Sequence, residues 1–317
     1  MQKRSKITIL GAGNVGATIA YTLTIKGIAS EIVLIDINKA KAAGEAMDIA
    51  QGAALCPPVS VMDGDYPDAA GSDIVVVTLG AARKPGQTRT DLAQGNVNII
   101  KSVMPQALKY APDAIYVVVS NPVDIITYAI LKTTGLPESQ VFGSGTLLDT
   151  VRLRAAIADD IDVDPKSVHA YVFGEHGDSS MIPWSLTAIS SLSLDTIMAG
   201  EFSQEHPFVK PDKEALLNEM HRSGAEVIKM KGATFYAIAL TTSHICDCIL
   251  HDSRSLLTVS TMMHGEYGVD DVCVSLPALI GRHGISNIMQ PQITDQEIEE
   301  FRASAGSLKN IIKELTF

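Results

Sequence analysis

The stretch ITILGAGNVGATIAYTLTIKG, residues 7–27, decides the fold of this chain. It runs from a β-branched apolar segment through a glycine turn into a helical pattern of small and apolar residues. The turn matches GxGxxG, with Gly11, Gly13 and Gly16 at its fixed positions. Such glycines permit a tight turn and let a pyrophosphate approach the N-terminus of the helix closely. The stretch therefore predicts the first strand, turn and helix of a dinucleotide-binding unit.

A carboxylate follows at the spacing that this unit requires. Asp36 closes a second apolar run, EIVLID at 31–36, and stands 20 residues after Gly16. A carboxylate at this place can accept hydrogen bonds from both ribose hydroxyls of NAD and repels the additional phosphate of NADP. The alternative is a bare turn with a helix-capping aspartate. Motif, strand context and spacing together favour NAD as the cofactor.

The rest of the chain changes pattern near its middle. Further apolar runs, DIVVVTL at 73–79 and IYVVVSN at 115–121, alternate with helical segments. Nearly all-apolar strands that alternate with helices predict an α/β fold with a Rossmann-type, doubly wound parallel sheet. Beyond this part an α+β pattern follows, with a helix from Thr146, a strand at 168–173, helices at 213–230 and 234–251, the runs TVSTMMHG and VCVSLPALIG, and a charged helix at 294–315. We predict an NAD-binding domain at 1–143 and a second, α+β domain at 144–317.

Composition excludes several classes of protein. The 317 residues are 46% hydrophobic and carry a formal net charge of -11, which counts against a nucleic-acid or anionic-membrane surface. The four cysteines form no CxxC pair, so neither a disulfide scaffold nor a zinc site is expected. Glycines and Lys26 interrupt the apolar run near the N-terminus, which counts against a signal peptide or a membrane span. We predict a cytoplasmic protein without a metal.

A histidine in a glycine-flanked turn is the first candidate for chemistry. His176 lies in FGEHGD at 173–178, where the alternatives are a solvated loop histidine and a catalytic one. Asp149 and Arg152 are three residues apart on a predicted helix and share a face. Asp149 is suited to orient the imidazole, and Arg152 offers a planar fork to a substrate carboxylate. Arg154 points to another side of the helix, as a surface charge or a second anion site.

Two loops follow strands at the edge where open α/β sheets bind ligands. The segment GAARKPGQTRTD at 80–91 predicts a mobile lid that carries Arg83, Lys84 and Arg89, with an exposed basic loop as the alternative. The segment NPVD at 121–124 begins with Asn121, which either caps the next helix or binds a ligand.

These segments together resemble the L-lactate/L-malate dehydrogenase family over nearly the whole chain. The match is far more specific than the glycine motif alone because the segments occur in the order typical of the family. They are GAGNVGAT at 11–18, KPGQTR at 84–89, NPVD at 121–124, GSGTLLDTVRLR at 143–154, GEHGDS at 174–179, KGATFYAIA at 231–239, and LTVST, GEYG and DVCVSLP between 257 and 277.

The resemblance implies a role for each matching residue. It implies that His176 is the proton donor and acceptor, that Asp149 orients it, and that Arg152 holds the substrate carboxylate. Arg89 would polarise the reacting carbonyl. The further substrate-binding residues implied are Arg83, Asn121 and Thr234, and the cofactor contacts implied are Gly11, Gly13, Val15, Gly16, Asp36, Lys41, Tyr66, Ser102, Asn121 and Ser144.

The branch of the family rests on conflicting signals. Arg83 occupies a lid position that is typically Gln in lactate enzymes and Arg in malate enzymes, because a second substrate carboxylate needs a cation. GSGT, Glu175, IPWS at 182–185 and Thr234 resemble the lactate branch instead. We favour an L-lactate dehydrogenase, with an L-malate dehydrogenase as the alternative. A non-catalytic dinucleotide-binding protein is more distant, since the residues implied in catalysis are all present.

The resemblance also implies an effector and an assembly. Arg154 and His169 match the positions through which bacterial lactate dehydrogenases bind fructose 1,6-bisphosphate at a subunit interface. Two cationic side chains repeated by symmetry suit a bisphosphate. We therefore expect a homotetramer that this effector activates.

Overall fold

A computed structural model describes residues 5–81, 88–199 and 210–317. In chain order its strands and α-helices are β1 (Lys6–Leu10), α1 (Asn14–Lys26), β2 (Glu31–Ile35), α2 (Lys39–Gly52), β3 (Ser60–Asp63), β4 (Ile74–Val77), α3 (Arg89–Tyr110), β5 (Ile115–Val118), α4 (Val123–Thr134), β6 (Val141–Gly143), α5 (Leu147–Ile161), β7 (Val168–His169), β8 (Ala188–Ile189), β9 (Leu192–Ser193), α6 (Leu194–Met198), α7 (Lys213–Lys231), α8 (Tyr236–Leu250), β10 (Ser255–His264), β11 (Asp270–Gly281), β12 (Gly284–Ile288) and α9 (Asp295–Ile312). Within these ranges, no helix is long and apolar enough to cross a membrane.

Six parallel strands form the first part of the main sheet, in the order β3-β2-β1-β4-β5-β6. This is the order of a doubly wound Rossmann-type fold, which confirms the predicted fold class. The chain leaves β1 toward one edge of the sheet and β4 toward the other. The crevice for a ligand in such a sheet opens where these directions diverge, at the carboxyl ends of the strands.

The parallel strands are covered by helices on both faces. Val75 and Val77 of β4 face one apolar cluster, which also contains Val97 of α3. Ile74 and Val76 face the opposite cluster, to which α1 and α8 contribute. Because successive side chains of a strand point to opposite faces, a strand that is buried on both must be apolar throughout. This explains the continuous apolar runs in the sequence.

Three strands from the C-terminal half continue the same sheet. β10 pairs antiparallel with β6 at Ser260 and Gly143, and β11 and β12 follow in antiparallel order. A Cβ on Gly143 would lie 2.7 Å from Thr127 Oγ1 and 3.0 Å from Ser260 Cβ, so the glycine permits this close pairing. The sequence predicted mixed α+β structure here but not the continuation of the parallel sheet. A domain boundary at residue 143 stays a prediction.

The strand predicted at 168–173 is shorter than expected. It pairs regularly only as β7, and Phe173 forms an isolated bridge with Met181. Between them, one hydroxyl from the first turn of α5 and one from the residue before it take the place of a neighbouring strand. The N–H of Val172 donates to Thr150 Oγ1 at 3.0 Å, and the Val172 carbonyl accepts from Thr146 Oγ1. The prediction was wrong here because side chains satisfy the backbone groups that a ladder would pair.

Candidate active site

The glycine turn between β1 and α1 is packed tightly at two of its three glycines. Gly11 has φ +105°, and a Cβ on Gly16 would lie 1.9 Å from the Gly11 carbonyl oxygen. A Cβ on Gly13, in contrast, would meet nothing within 4 Å. Gly13 is the N-cap residue of α1 and has no side chain to bond the first N–H groups of the helix. The space and the N–H groups suit a pyrophosphate.

Asp36 is held beside this turn at the end of β2. Its Oδ2 accepts the N–H of Ala12 at 2.7 Å, and its Oδ1 accepts the N–H of Asn38 at 2.8 Å. These two bonds fix the carboxylate, whose remaining lone pairs can accept from ribose hydroxyls. The turn and the carboxylate therefore fit the adenosine side of a dinucleotide.

Three of the predicted cofactor contacts stand apart from the cavity described below. Lys41 lies in the first turn of α2 and is exposed. Tyr66 opens a 3-10 turn after β3. Ser102 is exposed on α3, where its hydroxyl donates to the carbonyl of Ile99 at 2.8 Å.

A histidine, an aspartate and an arginine form the centre of the site. Asp149 Oδ2 lies 2.6 Å from His176 Nδ1, and Asp149 Oδ1 accepts from an Arg152 guanidinium N–H at 3.2 Å. The first turn of α5 carries Asp149, and Arg152 follows one turn later on the same face, as predicted. The pairing leaves Nε2 of His176 for a reacting group. The arrangement joins a proton donor to a cation suited to carboxylates.

The loop that carries His176 is anchored by side chains from two distant helices. Asp124, in the first turn of α4, accepts the N–H of His176 at 2.8 Å. Ser304 of α9 accepts the N–H of Glu175 at 2.8 Å. Gly174 has φ +88°, and a Cβ there would lie 2.4 Å from the Ser304 hydroxyl. Sequence reasoning gave neither anchor a role, although Asp124 stands in the quoted NPVD segment.

Charge keeps the imidazole protonated. The carboxylate of Asp149 raises the pKa of His176 to about 9, against the opposing effect of burial. Burial would raise the pKa of Asp149, but the charges of His176 and Arg152 outweigh it, and this pKa is lowered. Burial raises the pKa of Asp124 to about 6. At neutral pH the site therefore holds an imidazolium, which can donate a proton.

We expect His176 to titrate near pH 9 and to titrate at lower pH in an Asp149→Asn variant, because the neutral amide no longer stabilises the imidazolium. NMR of the imidazole resonances measures both. Folding raises this pKa from 6.5, so the pair stabilises the fold fully below pH 6.5 and loses its effect as the pH rises through about 9. Asp247→Asn, which removes the partner of exposed His251, is the matched control. An unchanged His176 titration would contradict the assignment.

A cavity of about 490 Å³ brings seven of the predicted site residues together. It lies where the carboxyl ends of the parallel strands meet α5, α7 and α8. The predicted residues that line it are Val15, Asn121, Ser144, Asp149, Arg152, His176 and Thr234. Sequence reasoning did not single out the other lining residues, which are Val119, Leu148, Gly177, Asp178, Ser180, Met220, His221, Gly224, Ala225, Ile228 and Ile238. Most of these come from α7 and α8, whose place beside the sheet is a tertiary feature.

The three cationic residues of the predicted lid cannot be placed in this cavity. Arg83 and Lys84 lie outside the described residues, as does the side chain of Arg89. The backbone of Arg89 begins α3. Among the described ranges, no three His, Cys, Asp or Glu side chains form a group that could hold a metal ion.

The two predicted effector residues, Arg154 and His169, lie on α5 and at the end of β7. Arg154 Nε donates to the carbonyl of Ala170 at 3.0 Å, and its guanidinium lies 5.3 Å from the centre of the Tyr171 ring. His169 is exposed at the end of β7. Arg152 lines the cavity, whereas Arg154 packs against the β7 segment, as their spacing on α5 predicts.

Together, the strand order, the glycine turn, Asp36 and a His–Asp pair beside an arginine define a dinucleotide-dependent oxidoreductase. The sequence matches two profiles of one family: the lactate/malate dehydrogenase NAD binding domain over residues 5–143, and the lactate/malate dehydrogenase alpha/beta C-terminal domain over residues 146–316. The chain belongs to the lactate/malate dehydrogenase family. It is an NAD-dependent 2-hydroxy acid dehydrogenase, which confirms the predicted family, cofactor and class of enzyme.

Relatives of known name agree with this assignment. The chain is 46% identical over 313 residues to the L-lactate dehydrogenase of Thermoanaerobacterium saccharolyticum, which covers 98% of this chain and 99% of that protein. It is 44% identical over 309 residues to L-lactate dehydrogenase 1 of Clostridium acetobutylicum, with 98% of each chain covered. The crystal structure of the minor L-lactate dehydrogenase from Enterococcus mundtii superimposes with a TM-score of 0.93, at 38% identity and 99% coverage of both chains. A lactate dehydrogenase from a Medee basin deep-sea metagenome library gives a TM-score of 0.94, at 35% identity and full coverage of both chains.

Proposed function

We propose that this protein is an L-lactate dehydrogenase, which interconverts (S)-lactate and pyruvate with NAD. The observation that carries the proposal is the juxtaposition of His176, Asp149 and Arg152 in one cavity, with His176 protonated at neutral pH. This arrangement supplies a proton and a carboxylate-binding cation side by side. Reduction of a 2-keto acid requires both. The names of the relatives support lactate as the substrate.

Each residue of the site has a separate role in the proposed reaction. The cofactor supplies or accepts a hydride. Arg152 binds the substrate carboxylate through two parallel hydrogen bonds and orients the keto carbon. His176 donates its Nε2 proton to the carbonyl oxygen as negative charge develops there, and takes it back in the reverse reaction. Asp149 holds the imidazole in place and stabilises its charge.

Three further residues complete the proposal. Asn121 and Arg89 bind the same substrate oxygen, and the Arg89 guanidinium stabilises the developing charge. Thr234 borders the pocket for the substrate side chain.

Residues 1–143 act as the NAD-binding domain and residues 144–317 as the substrate-binding catalytic domain. The match of separate family profiles to the two halves supports this division.

The second candidate, an L-malate dehydrogenase, rests on Arg83. A cation at this lid position would pair with the second carboxylate of oxaloacetate. Facing the methyl group of pyruvate it would lack an ionic partner and would turn toward solvent. Lactate is favoured because Thr234 and GSGT at 143–146 belong to the lactate pattern.

Oxidation of NADH with pyruvate or oxaloacetate distinguishes the two candidates. We expect kcat/KM to be at least about tenfold higher with pyruvate, the factor that about 1.4 kcal/mol of transition-state binding supplies. An Arg83→Gln variant should lower the residual activity with oxaloacetate and leave pyruvate activity near wild type. A preference of the wild type for oxaloacetate would establish the malate reaction instead. Absence of turnover with both, while NADH still binds, would mean that the enzyme acts on a different 2-keto acid.

We further propose a cytoplasmic homotetramer that fructose 1,6-bisphosphate activates through Arg154 and His169. The four cysteines are free thiols, which supports a reducing compartment. Arg154 donates to the Ala170 carbonyl through Nε alone, and the N–H groups on its two Nη atoms are the donors suited to a phosphate. The NADH oxidation assay, repeated with fructose 1,6-bisphosphate, tests the activation. No change in substrate affinity or turnover would count against it.

A further inference from the structure

A buried asparagine joins the segment after β4 to the segment after β5, which lines the cavity at Asn121. Asn96 lies in α3 and is 3% exposed. Its Oδ1 accepts the N–H of Ala81 at 2.9 Å, and its Nδ2 donates to the carbonyl of Asn121 at 2.7 Å. One side chain thus ties the segment after β4 to the segment after β5. Both segments leave the sheet at the edge where the cavity opens.

The backbone at Gly80 approaches the side-chain amide of Asn96 closely. Gly80 has φ +143°, and a Cβ there would lie 3.2 Å from Asn96 Nδ2 and 3.3 Å from its Oδ1. A larger residue at position 80 would push this amide away from Ala81. Leaving a buried amide unpaired is costly, so both hydrogen bonds fix the side chain firmly. The geometry defines the distance between the backbones of Ala81 and Asn121.

The position of Asn96 in its helix adds a third connection. Arg89 begins α3, and Asn96 follows it by seven residues, which is about two helical turns. The helix that starts at Arg89 is therefore pinned through Asn96 to Asn121. The proposed reaction requires Arg89 and Asn121 to reach the same substrate oxygen, although they are separated in the chain by the whole of α3 and β5.

We propose that Asn96 is a positioning residue for the substrate-carbonyl site. It sets the place of Asn121 relative to Ala81 and to the start of α3, and it touches neither substrate nor cofactor. This inference rests on the proposed function. It adds a residue that acts through Asn121 and has no charge of its own.

An Asn96→Asp variant tests the role through its dependence on pH. When the new carboxyl is protonated, it can still accept from Ala81 and donate to the Asn121 carbonyl. When it is ionised, it repels that carbonyl. We expect kcat/KM for pyruvate to be about tenfold below wild type at pH 8, with the deficit shrinking as the pH falls, because burial raises the pKa of such a carboxyl. The hydrogen-bond partners of Asn96 are uncharged backbone groups, and the ratio to wild type cancels the titration of His176.

Asn98→Asp is the matched control. Asn98 lies on the same helix, is exposed, and accepts only from Gln94 at 3.0 Å among the described contacts. We expect its activity ratio to be flat with pH and close to one. We expect the affinity of the Asn96→Asp variant for NADH to fall much less than kcat/KM does, because Asn121 is the one implied cofactor contact that Asn96 holds, while the glycine turn and Asp36 are untouched.

Each result decides the role of Asn96. A ratio that is flat with pH, or a loss of NADH affinity in parallel with kcat/KM, would show that Asn96 is merely structural. If the Asn96→Asp variant does not fold, the Asn96→Ala variant tests the same role. It should lower kcat/KM about tenfold at every pH and lower NADH affinity much less than that. A wild type that reduces no 2-keto acid would reject the proposed function, whereas an active wild type with a flat Asn96→Asp ratio rejects only the positioning role.

Discussion

We expect the His176→Asn variant to bind NADH as wild type does but to turn over pyruvate about 10² to 10⁴-fold more slowly, the range that a positioned general acid contributes. The amide of Asn occupies part of the same space and can still face Asp149. It has no proton to give at neutral pH, so the developing alkoxide must take one from water. Cofactor affinity is retained because Gly13 and Asp36 lie outside the changed loop.

Steady-state kinetics and NADH fluorescence titration measure the two properties separately. His251→Asn is the matched control, since His251 is exposed at the end of α8 and pairs with Asp247. It should leave kcat unchanged. Full turnover in His176→Asn would remove His176 from the catalytic role. Equal loss of NADH binding and turnover would mean that the substitution disturbs the fold of the site and not its proton transfer.

The Arg152→Gln variant should lose about 10³-fold in kcat/KM, the second of the two largest effects. Glutamine keeps much of the length but removes the charge, and losing one partner of a sheltered ion pair costs about 3–5 kcal/mol. Arg152→Lys keeps a point charge without the planar fork and should lose about 10- to 100-fold. The graded series separates charge from geometry.

Arg152 also affects the imidazole electrostatically. Its charge lowers the pKa of His176, so Arg152→Gln should move the alkaline limb of the pH profile upward. Arg222→Gln, an exposed position on α7, serves as control and should change neither KM nor the profile. An Arg152→Gln enzyme with an unchanged KM for pyruvate would show that another cation, such as Arg83, holds the carboxylate.

Sequence patterns among neighbouring residues were enough to predict most of the first half of the fold. The strand, glycine turn and first helix follow from residues that are neighbours in the chain, and so does the place of Asp36 at the end of β2. The first helix begins at Asn14, directly after the glycine turn. The common face of Asp149 and Arg152 required only the period of a helix. Strand β3, with one buried residue of four, gave too weak an apolar pattern to be predicted.

The sequence by itself determined the class of fold and the cofactor type and singled out the candidate residues of the site, because helix period, strand alternation and glycine conformation are local properties. Only the tertiary structure decided how those groups meet. His176 reaches Asp149 across 27 positions and Asp124 across 52, and Ser304 anchors its loop from 129 positions away. Asn96 joins Asn121 to Ala81 by the same kind of contact. Such distances are set by the packing of α4, α5 and α9 around one continuous sheet, and no spacing within a single segment encodes them.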